Sequence, residues 1–217
     1  MNYVISKVNQ LEFLNLLDVG CGDGKLIYEL YNKMPPKTFV GIDISEKAIL
    51  FGKAMTPKAE FVFGSIMDEE LKIGQFDIVT LIETLEHIPL NEIKNFVSAL
   101  HKHTKNYLIV TVPSKNQPLA PKHFQHFDLL TLKNTLEPYF TITEHKYLQK
   151  QTISTRIIKR LLANRFFALN HKPTLNKLLR YYLKNSFFGD SKNTNQIFVL
   201  AKPNNLEDFE SKKPDNS

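Results

Sequence analysis

The 217-residue chain has few of the features that mark secreted and membrane proteins. It contains a single cysteine, Cys21, so no disulfide can form within the chain, which fits a reducing compartment. No apolar run approaches the roughly 20 residues that a membrane-spanning helix needs. Met1 to Gln10 is too mixed and polar for a secretory signal peptide. We therefore expect a soluble, cytoplasmic protein, and we find no internal repeat.

Strand and helix patterns alternate from Leu14 to Val112, which predicts an α/β fold with a parallel sheet covered on both faces. A chain of this length can bury the core of one such domain without cross-links. Ser45 and Asp128 are placed to cap helices. The predicted strands lie at Leu16 to Asp18, Phe39 to Asp43, Glu60 to Phe63, Phe76 to Ile82, Tyr107 to Val112, Phe140 to Thr143 and Gln196 to Ala201.

Three glycines at alternate positions, Gly20, Gly22 and Gly24, follow the first predicted strand and precede a helix. Glycines permit backbone angles that other residues avoid, and they let a ligand lie against bare main chain. The dinucleotide fingerprint Gly-x-Gly-x-x-Gly fails at its third position, where Lys25 stands. Asp18, just before the turn, suits a cationic ligand group such as an ammonium better than a pyrophosphate.

The next predicted strands also end in polar residues. Asp43 lies where the second strand of a βαβ unit delivers an acid to ribose hydroxyls. The third strand leads into Ser65, Ile66 and Asp68, and the fourth leads into Glu83 and the residues that follow it.

On these motifs the chain resembles the class I S-adenosylmethionine-dependent methyltransferases, of the broad small-molecule and O-methyltransferase-like type. The first motif of that type reads LDVGCGxG and its fourth-strand motif reads FDxVxxxExxEH. The match runs from about Leu14 to Tyr139. The resemblance implies a Rossmann-like, doubly wound seven-stranded sheet whose last strand is antiparallel. We expect one methyltransferase domain over residues 1–203. Charge and amphipathic patterns predict a basic helical insertion at 146–194 between strands six and seven, and the polar composition of 204–217 predicts a disordered tail.

The resemblance also implies that S-adenosylmethionine is the cofactor. Many relatives carry aspartate where Ser65 stands, so adenine recognition is expected to involve the Ile66 backbone or Asp68 as well. The implied contacts are Asp18, Gly20, Gly22 and Gly24 with the methionine end, Asp43 with the ribose, Ile44, Ser65, Ile66 and Asp68 with the adenine, and Ile82 with the sulfonium side.

Glu83, Glu86 and His87 lie at the carboxyl end of the fourth strand, where open α/β sheets bind ligands. If a helical turn begins there, spacings of three and four place the three side chains on one face. Such a set is a candidate site for a divalent metal such as Mg²⁺. Ubiquinone-pathway O-methyltransferases have Glu-x-x-Glu-His in this place, and small-RNA 2′-O-methyltransferases add a later histidine. In the alternative interpretation, the acid lines the pocket and the histidine packs under the cofactor without metal.

A second group of polar residues, His123 and His126, follows the fifth strand and is expected to face the same pocket as a base or a fourth ligand. His87, His123 and His126 are therefore the candidate catalytic residues for methylation of an oxygen. The alternative is that this stretch is structural, with Asp128 capping the next helix and Phe127 packing beneath it.

Positive charge is concentrated between His145 and Asn195, which contains 11 Lys or Arg and one acid, Asp190. The rest of the chain has 17 basic and 21 acidic residues, so the whole positive excess lies in this segment. Two amphipathic patterns within it, at residues 153–162 and 175–184, predict helices. They indicate either a lid with a solvated basic face or a surface for an anionic partner, with an anionic membrane favoured over nucleic acid.

Three functions remain open from the sequence. The first is methylation of a small molecule, a sugar or a lipid-linked acceptor in the cytoplasm, with peripheral membrane contact through 146–194. The second is RNA 2′-O-methylation that uses the Glu/Glu/His set. The third is a non-catalytic protein that binds the cofactor.

Overall fold

The computed structural model describes residues 1–34, 37–137, 139–163, 172–185 and 187–205. Its sheet has the order β3-β2-β1-β4-β5-β7-β6. The first five strands pair in parallel, and β7 runs antiparallel to both β5 and β6. The predicted fold, with an antiparallel last strand, is therefore confirmed. The strands are β1 (Asn15–Val19), β2 (Thr38–Asp43), β3 (Glu60–Phe63), β4 (Phe76–Ile82), β5 (Thr104–Pro113), β6 (Phe140–Lys150) and β7 (Thr194–Pro203).

The helices cover both faces of the sheet, and two of them begin at the predicted caps. Ser45 Oγ accepts a hydrogen bond from the Ala48 amide at 3.3 Å, and the Asp128 carboxylate accepts one from the Thr131 amide at 2.7 Å. The sequence patterns did not predict the first helix. Within the described ranges the helices are α1 (Asn2–Val8), α2 (Lys25–Tyr31), α3 (Glu46–Met55), α4 (Ile93–His103), α5 (Leu129–Leu136), α6 (Ile153–Ala163) and α7 (Lys172–Asn185).

Side chains that alternate along the central strands form a separate core on each face of the sheet. Leu17 and Val79 belong to the core that α4 and α5 cover, whereas Leu16 and Ile78 belong to the core that α1, α2 and α3 cover. A strand with both faces buried is apolar throughout, which is why β1 and β4 could be predicted from sequence. Among the described residues, none of the helices combines the length and the apolarity required to cross a bilayer.

The insertion begins later than predicted, because β6 continues to Lys150. Leu148 is buried and pairs with Gln196 of β7, so the first residues assigned to the insertion are part of the sheet. The strand lies at the edge of the sheet, where polar residues such as Lys146 are tolerated, and this hid its strand character in the sequence. The helical part of the insertion is α6 and α7.

Several sequence expectations concern residues near or beyond the described ranges. Asn204 was assigned to the tail, yet its amide donates to the Tyr139 carbonyl and its side chain donates to the Glu137 carbonyl, so it belongs to the domain. The remainder of the predicted tail, 206–217, lies outside the described residues.

Candidate active site

A pocket of about 450 Å³ opens at the carboxyl ends of β1, β2 and β4. The strand order reverses between β1 and β4, which is where doubly wound sheets bind ligands. The pocket is lined by Val19, Gly20, Ile42, Asp43, Ile44, Gly64, Ser65, Ile66, Met67, Glu83, Thr84, His87, Ile88, Pro89, Glu92 and Phe96.

The three glycines between β1 and α2 all have φ between 54° and 76°, the left-handed region that favours glycine. They differ in what surrounds them. A Cβ on Gly20 would meet the Thr84 side chain at 2.5 Å, and one on Gly24 would meet the Phe61 ring at 2.7 Å. A Cβ on Gly22 would meet nothing within 4 Å. Gly20 and Gly24 are therefore required for packing, whereas Gly22 leaves open space beside the pocket.

Asp18 lies beneath the glycine turn and is not among the residues that line the pocket. Its Oδ1 accepts a hydrogen bond of 2.7 Å from the Thr80 hydroxyl. Burial raises the pKa of this carboxyl to about 7, against the lowering effect of the Thr80 hydrogen bond. A direct contact with the methionine end of the cofactor stays a prediction.

Asp43 lies in the pocket at the end of β2. Its two oxygens accept hydrogen bonds from the Gly22 amide at 2.9 Å and from the Ser45 amide at 2.8 Å. These contacts tie the glycine turn to the start of α3 and hold the carboxylate at the pocket wall. Ile44, which follows it, is 77% exposed at the pocket and is free to cover a planar ligand.

The residues predicted for the adenine fall into two sets. Ser65 and Ile66 line the pocket, and the Ser65 hydroxyl accepts a hydrogen bond from the Met67 amide at 3.2 Å. Asp68 is not part of the pocket lining. Its Oδ2 accepts a 2.7 Å hydrogen bond from the Ser65 amide, which stabilises the turn after β3. Ile82 is half-buried and packs against the core, not in the pocket wall.

Sequence reasoning missed nine residues of the pocket wall, namely Val19, Ile42, Gly64, Met67, Thr84, Ile88, Pro89, Glu92 and Phe96. Among them, Met67, Ile88 and Phe96 supply apolar surface, and Glu92 supplies a carboxylate. The one signal available for these four was position, because they follow the third or the fourth strand in the chain.

The predicted grouping of Glu83, Glu86 and His87 on one face is not formed. Glu83 has φ +52°, and only the short 3₁₀ turn Leu85–His87 follows it. Glu83 lines the pocket but is not among the ligand atoms that come together, and its Oε1 accepts a 2.8 Å hydrogen bond from Gln196 of β7. Left-handed backbone at a glutamate cannot be read from residue spacing.

Instead, Glu86, His87 and His123 come together, and we call them the Glu–His cluster. One potential ligand atom from each lies within 4.8 Å of the others. Glu86 is 1% exposed, and its Oε2 has no hydrogen-bond partner among the residues that the structure describes. Burial, followed by the nearby Glu83 carboxylate, raises the pKa of Glu86 to about 8. The cluster therefore holds a buried oxygen that lacks a partner.

Backbone carbonyls orient the histidines of the site. His87 Nδ1 lies 3.0 Å from the Lys122 carbonyl and His126 Nδ1 lies 3.2 Å from the Gln117 carbonyl, so each of these nitrogens donates. Neutral His126 then accepts through Nε2 from His123 Nδ1, at 2.8 Å. In this arrangement Nε2 of both His87 and His123 keeps its lone pair. The site is therefore prepared to bind a cation or accept a proton.

The glycine turn, the ribose-type carboxylate and the position at the switch point define a cofactor-binding α/β domain. Residues 16–107 match the model of the family described as "Methyltransferase domain". The chain is 31% identical over 130 residues to the ubiquinone biosynthesis O-methyltransferase of Vibrio parahaemolyticus, covering 52% of this chain and 54% of that protein. It is 27% identical over 135 residues to the mouse small RNA 2′-O-methyltransferase, covering 55% and 34% respectively.

The fold agrees with these matches. A SAM-dependent methyltransferase from Archaeoglobus fulgidus superposes with a TM-score of 0.62 at 17% identity, covering 93% of each chain. Residues 16–107 are thus similar to a methyltransferase domain, and the chain has the fold of an S-adenosylmethionine-dependent methyltransferase. It spans about half the length of the ubiquinone-pathway relative and about a third of the small-RNA relative.

Proposed function

We propose that the protein is an S-adenosylmethionine-dependent O-methyltransferase that acts on a small molecule, a sugar or a lipid-linked acceptor. The observation that carries this proposal is that His87 lines the cofactor pocket and that the His123 ring lies 4.7 Å from the His87 ring. An oxygen acceptor benefits from a group that takes up its proton, whereas a nitrogen acceptor needs this less. The Vibrio relative is a ubiquinone biosynthesis O-methyltransferase, which supports the same reaction class.

The pocket residues fit S-adenosylmethionine, which supplies a methyl group activated on a sulfonium. The open space at Gly22 suits a ligand lying against the main chain. The Asp43 carboxylate suits two ribose hydroxyls, and Ile44, Ile66 and Phe96 provide apolar surface for the adenine. These residues mainly hold the donor in line with the acceptor, because methyl transfer is a displacement that depends on alignment.

We further propose that the Glu–His cluster holds a divalent cation. The partnerless oxygen of Glu86 and the two free imidazole lone pairs are suitable ligands, and this mixed set suits Mn²⁺ better than Mg²⁺. A cation there would lower the pKa of an acceptor hydroxyl bound to it. Glu83, expected from the sequence as a third ligand, is outside this set. Without a cation, His123 is the base and passes its Nδ1 proton toward His126.

A second candidate is RNA 2′-O-methylation. The Glu–His cluster and the similarity to the mouse small RNA 2′-O-methyltransferase favour it. Outside the segment between β6 and β7, acidic residues outnumber basic residues. This charge argues against a broad RNA-binding surface. A non-catalytic role is disfavoured by the oriented histidines, which binding of the cofactor alone would not need.

We propose a cytoplasmic protein that contacts anionic membranes through the helices between β6 and β7. The outer face of α6 supports this contact, because it combines exposed apolar side chains with exposed arginines.

Binding and turnover test the function separately. In calorimetry, S-adenosylmethionine should bind the wild type, and Asp43→Ala should weaken binding at least tenfold, on the order expected for loss of charge-assisted hydrogen bonds. Binding of a nicotinamide dinucleotide but not of S-adenosylmethionine would contradict the proposal. Cofactor consumption should then be screened against glycans, quinols and RNA oligonucleotides. Turnover of RNA alone would select the second candidate.

The cation is tested on the acceptor that this screen identifies. Turnover should fall with a chelator and return when Mn²⁺ or Mg²⁺ is added. Glu86→Gln should abolish the metal response while leaving the affinity for S-adenosylmethionine within about twofold, since Glu86 lies outside the pocket lining. Turnover that ignores the chelator would assign the cluster to base catalysis.

A further inference from the structure

Glu83 adopts a backbone conformation that non-glycine residues rarely hold. Its φ of +52° lies in the left-handed region, where a side chain costs free energy unless neighbouring contacts compensate. Two contacts do so. The Glu83 amide donates to the Thr111 carbonyl at 2.9 Å, and its carboxylate accepts from Gln196 at 2.8 Å. Strain retained at a pocket residue indicates that the position of this carboxylate matters.

Gln196 is itself fixed by a second glutamine. It is buried on β7, and its Oε1 accepts a 3.1 Å hydrogen bond from Gln149 Nε2. Because a carboxylate only accepts, the Gln196 NH₂ group must face Glu83, and its carbonyl must face Gln149. Gln149 also has a left-handed backbone, with φ +60°, and its main-chain carbonyl accepts from Gln151 Nε2 at 2.9 Å. The side-chain amides of Gln149 and Gln196 therefore form a directed row from the end of β6 to Glu83 at the pocket.

This row determines where the Glu83 charge lies. Glu83 lines the pocket together with Gly20 and Thr84, at the end that the glycine turn forms. The Gln196 contact is the one hydrogen bond that its carboxylate makes within the described part of the chain. The remaining acceptor capacity of the carboxylate is available to a ligand. The Gln196 amide orients the carboxylate without adding the positive charge that a lysine or arginine would bring. The Met1 ammonium also interacts electrostatically with Glu83.

We infer that Glu83, positioned by Gln196, makes the site selective for a cofactor with a positive sulfonium over the neutral thioether product. The proposed donor carries that positive charge, and S-adenosylhomocysteine does not. A fixed carboxylate in a partly desolvated pocket attracts the charged form selectively and assists release of the product after transfer. The inference rests on the proposed function, because it presumes that S-adenosylmethionine occupies this pocket. Gln196 acts here as a positioning residue.

Calorimetry with both ligands tests this assignment. The affinities for S-adenosylmethionine and S-adenosylhomocysteine should be measured in the presence of a chelator, so that the Glu–His cluster does not contribute. Glu83→Gln should lower the affinity for S-adenosylmethionine about tenfold while changing that for S-adenosylhomocysteine less than about twofold. Gln196→Met, which keeps the volume but cannot donate, should produce a smaller shift of the same kind, about threefold.

Gln75→Met is the matched control. The Gln75 side chain also donates one hydrogen bond, to the Lys102 carbonyl. Gln75 directly precedes β4, so it lies at the amino ends of the parallel strands, whereas the pocket lies at their carboxyl ends. Its substitution should leave the ratio of the two affinities unchanged, and thermal melts should show all three variants folded. Equal weakening of both ligands in Glu83→Gln would overturn the inference, because a purely structural Glu83 does not distinguish sulfur charge. If the wild type binds neither ligand, the proposed function fails as well.

Discussion

At the scale of single residues, two buried acids differ in their hydrogen-bond partners, and this difference indicates different roles. Asp18 and Glu86 both have a pKa that burial raises, to about 7 and about 8 respectively. Asp18 is hydrogen-bonded to Thr80 inside the sheet, whereas Glu86 Oε2 has no partner and lies beside two imidazoles. We therefore interpret Asp18 as a buried contact between β1 and β4, and Glu86 as a candidate ligand group.

Asp18→Asn tests the protonation state of the buried carboxyl. An acid whose folded pKa is raised is protonated in the folded state and ionised in the unfolded state between about pH 4 and pH 7, so stability falls as pH rises through that range. Asparagine cannot ionise and keeps an acceptor for Thr80. In urea unfolding, the variant should gain up to about 3 kcal/mol relative to wild type between pH 5 and pH 8.

The control for this experiment is Asp128→Asn. The Lys115 ammonium and the Thr131 amide hold the Asp128 pKa at about 2, so its stabilising contribution is lost only as pH falls through that value. Its cost should therefore be the same at pH 5 and pH 8. A stability difference for Asp18→Asn that does not change with pH would mean that the folded protein already ionises Asp18 at pH 5.

The glycine turn allows a comparison in which backbone strain is equal. Gly22→Ala and Gly24→Ala both place a Cβ at positive φ, which costs about 1–2 kcal/mol. Gly24→Ala also drives the Cβ into Phe61 at 2.7 Å and the Gly52 backbone at 3.0 Å, whereas Gly22 has open space. We expect Gly24→Ala to lower Tm much more. Gly22→Ala should mainly weaken S-adenosylmethionine binding; normal binding by Gly22→Ala would move the cofactor away from this turn.

At the scale of elements, the loop between β5 and α5 completes the Glu–His cluster. Its Phe124 amide donates to the Glu86 carbonyl at 2.8 Å, which brings His123 to the 3₁₀ turn after β4. His126 then fixes the tautomer of His123. A loop of 15 residues with no periodicity thus positions the histidine that the sequence suggested but could not place.

His126 should therefore act through His123. His126→Ala removes the acceptor for His123 Nδ1 and should reduce turnover and Mn²⁺ affinity by about 10- to 100-fold, as other outer-sphere substitutions do. His126→Gln keeps an acceptor in the Nε2 position and should restore most of both. Mn²⁺ affinity measured by calorimetry in the absence of acceptor separates orientation of His123 from any effect on substrate. Equal losses in the two variants would contradict a role in tautomer selection.

The elements also show which parts of the structure a sequence specifies. The strands buried on both faces, such as β4, were readable because burial makes them apolar throughout. The extension of β6 was not, because the polar residues of an edge strand resemble those of a loop. The position of Glu83 was not readable either, since a left-handed glutamate and a partner from β7 leave no trace in residue spacing. Cofactor contacts follow from motifs, whereas side-chain clusters depend on how distant elements meet.

At the scale of the whole molecule, the segment between β6 and β7 carries both the excess positive charge and several exposed apolar side chains. Ile158 of α6 is buried, whereas Ile153, Ile157 and Leu161 are exposed at 79%, 55% and 43%. These three positions lie along one side of the helix, adjacent to exposed Arg156 and Arg160 on the helical wheel. In α7 the predicted apolar side is only partly buried, because Leu175, Leu178 and Tyr182 are at least half-buried whereas Leu179 is 42% exposed. Lys177 and Arg180 are exposed, as predicted.

A helix with exposed apolar residues beside arginines suits the surface of an anionic bilayer, where the apolar side chains enter the interface and the cations meet phosphate groups. Each cation near such a surface contributes about 1 kcal/mol. Arg156→Gln with Arg160→Gln should therefore weaken binding to phosphatidylglycerol-containing vesicles about tenfold or more and reduce its salt dependence. Ile153→Ser with Ile157→Ser should weaken binding while leaving the salt dependence intact, because it removes only apolar contact.

Lys94→Gln with Lys102→Gln removes the same charge from exposed positions on α4 and should leave vesicle binding nearly unchanged if position on the surface matters more than net charge. The affinity for S-adenosylmethionine should be the same in all three double variants, since none of these residues lines the pocket. Cosedimentation at low and high salt measures the affinity of each variant for the vesicles and its salt dependence. If the α4 and α6 charge variants lose equal affinity, attraction reflects overall charge only. If no variant alters binding, α6 and α7 form a lid over the domain, because a membrane-facing helix cannot lose both its charges and its apolar side chains without effect.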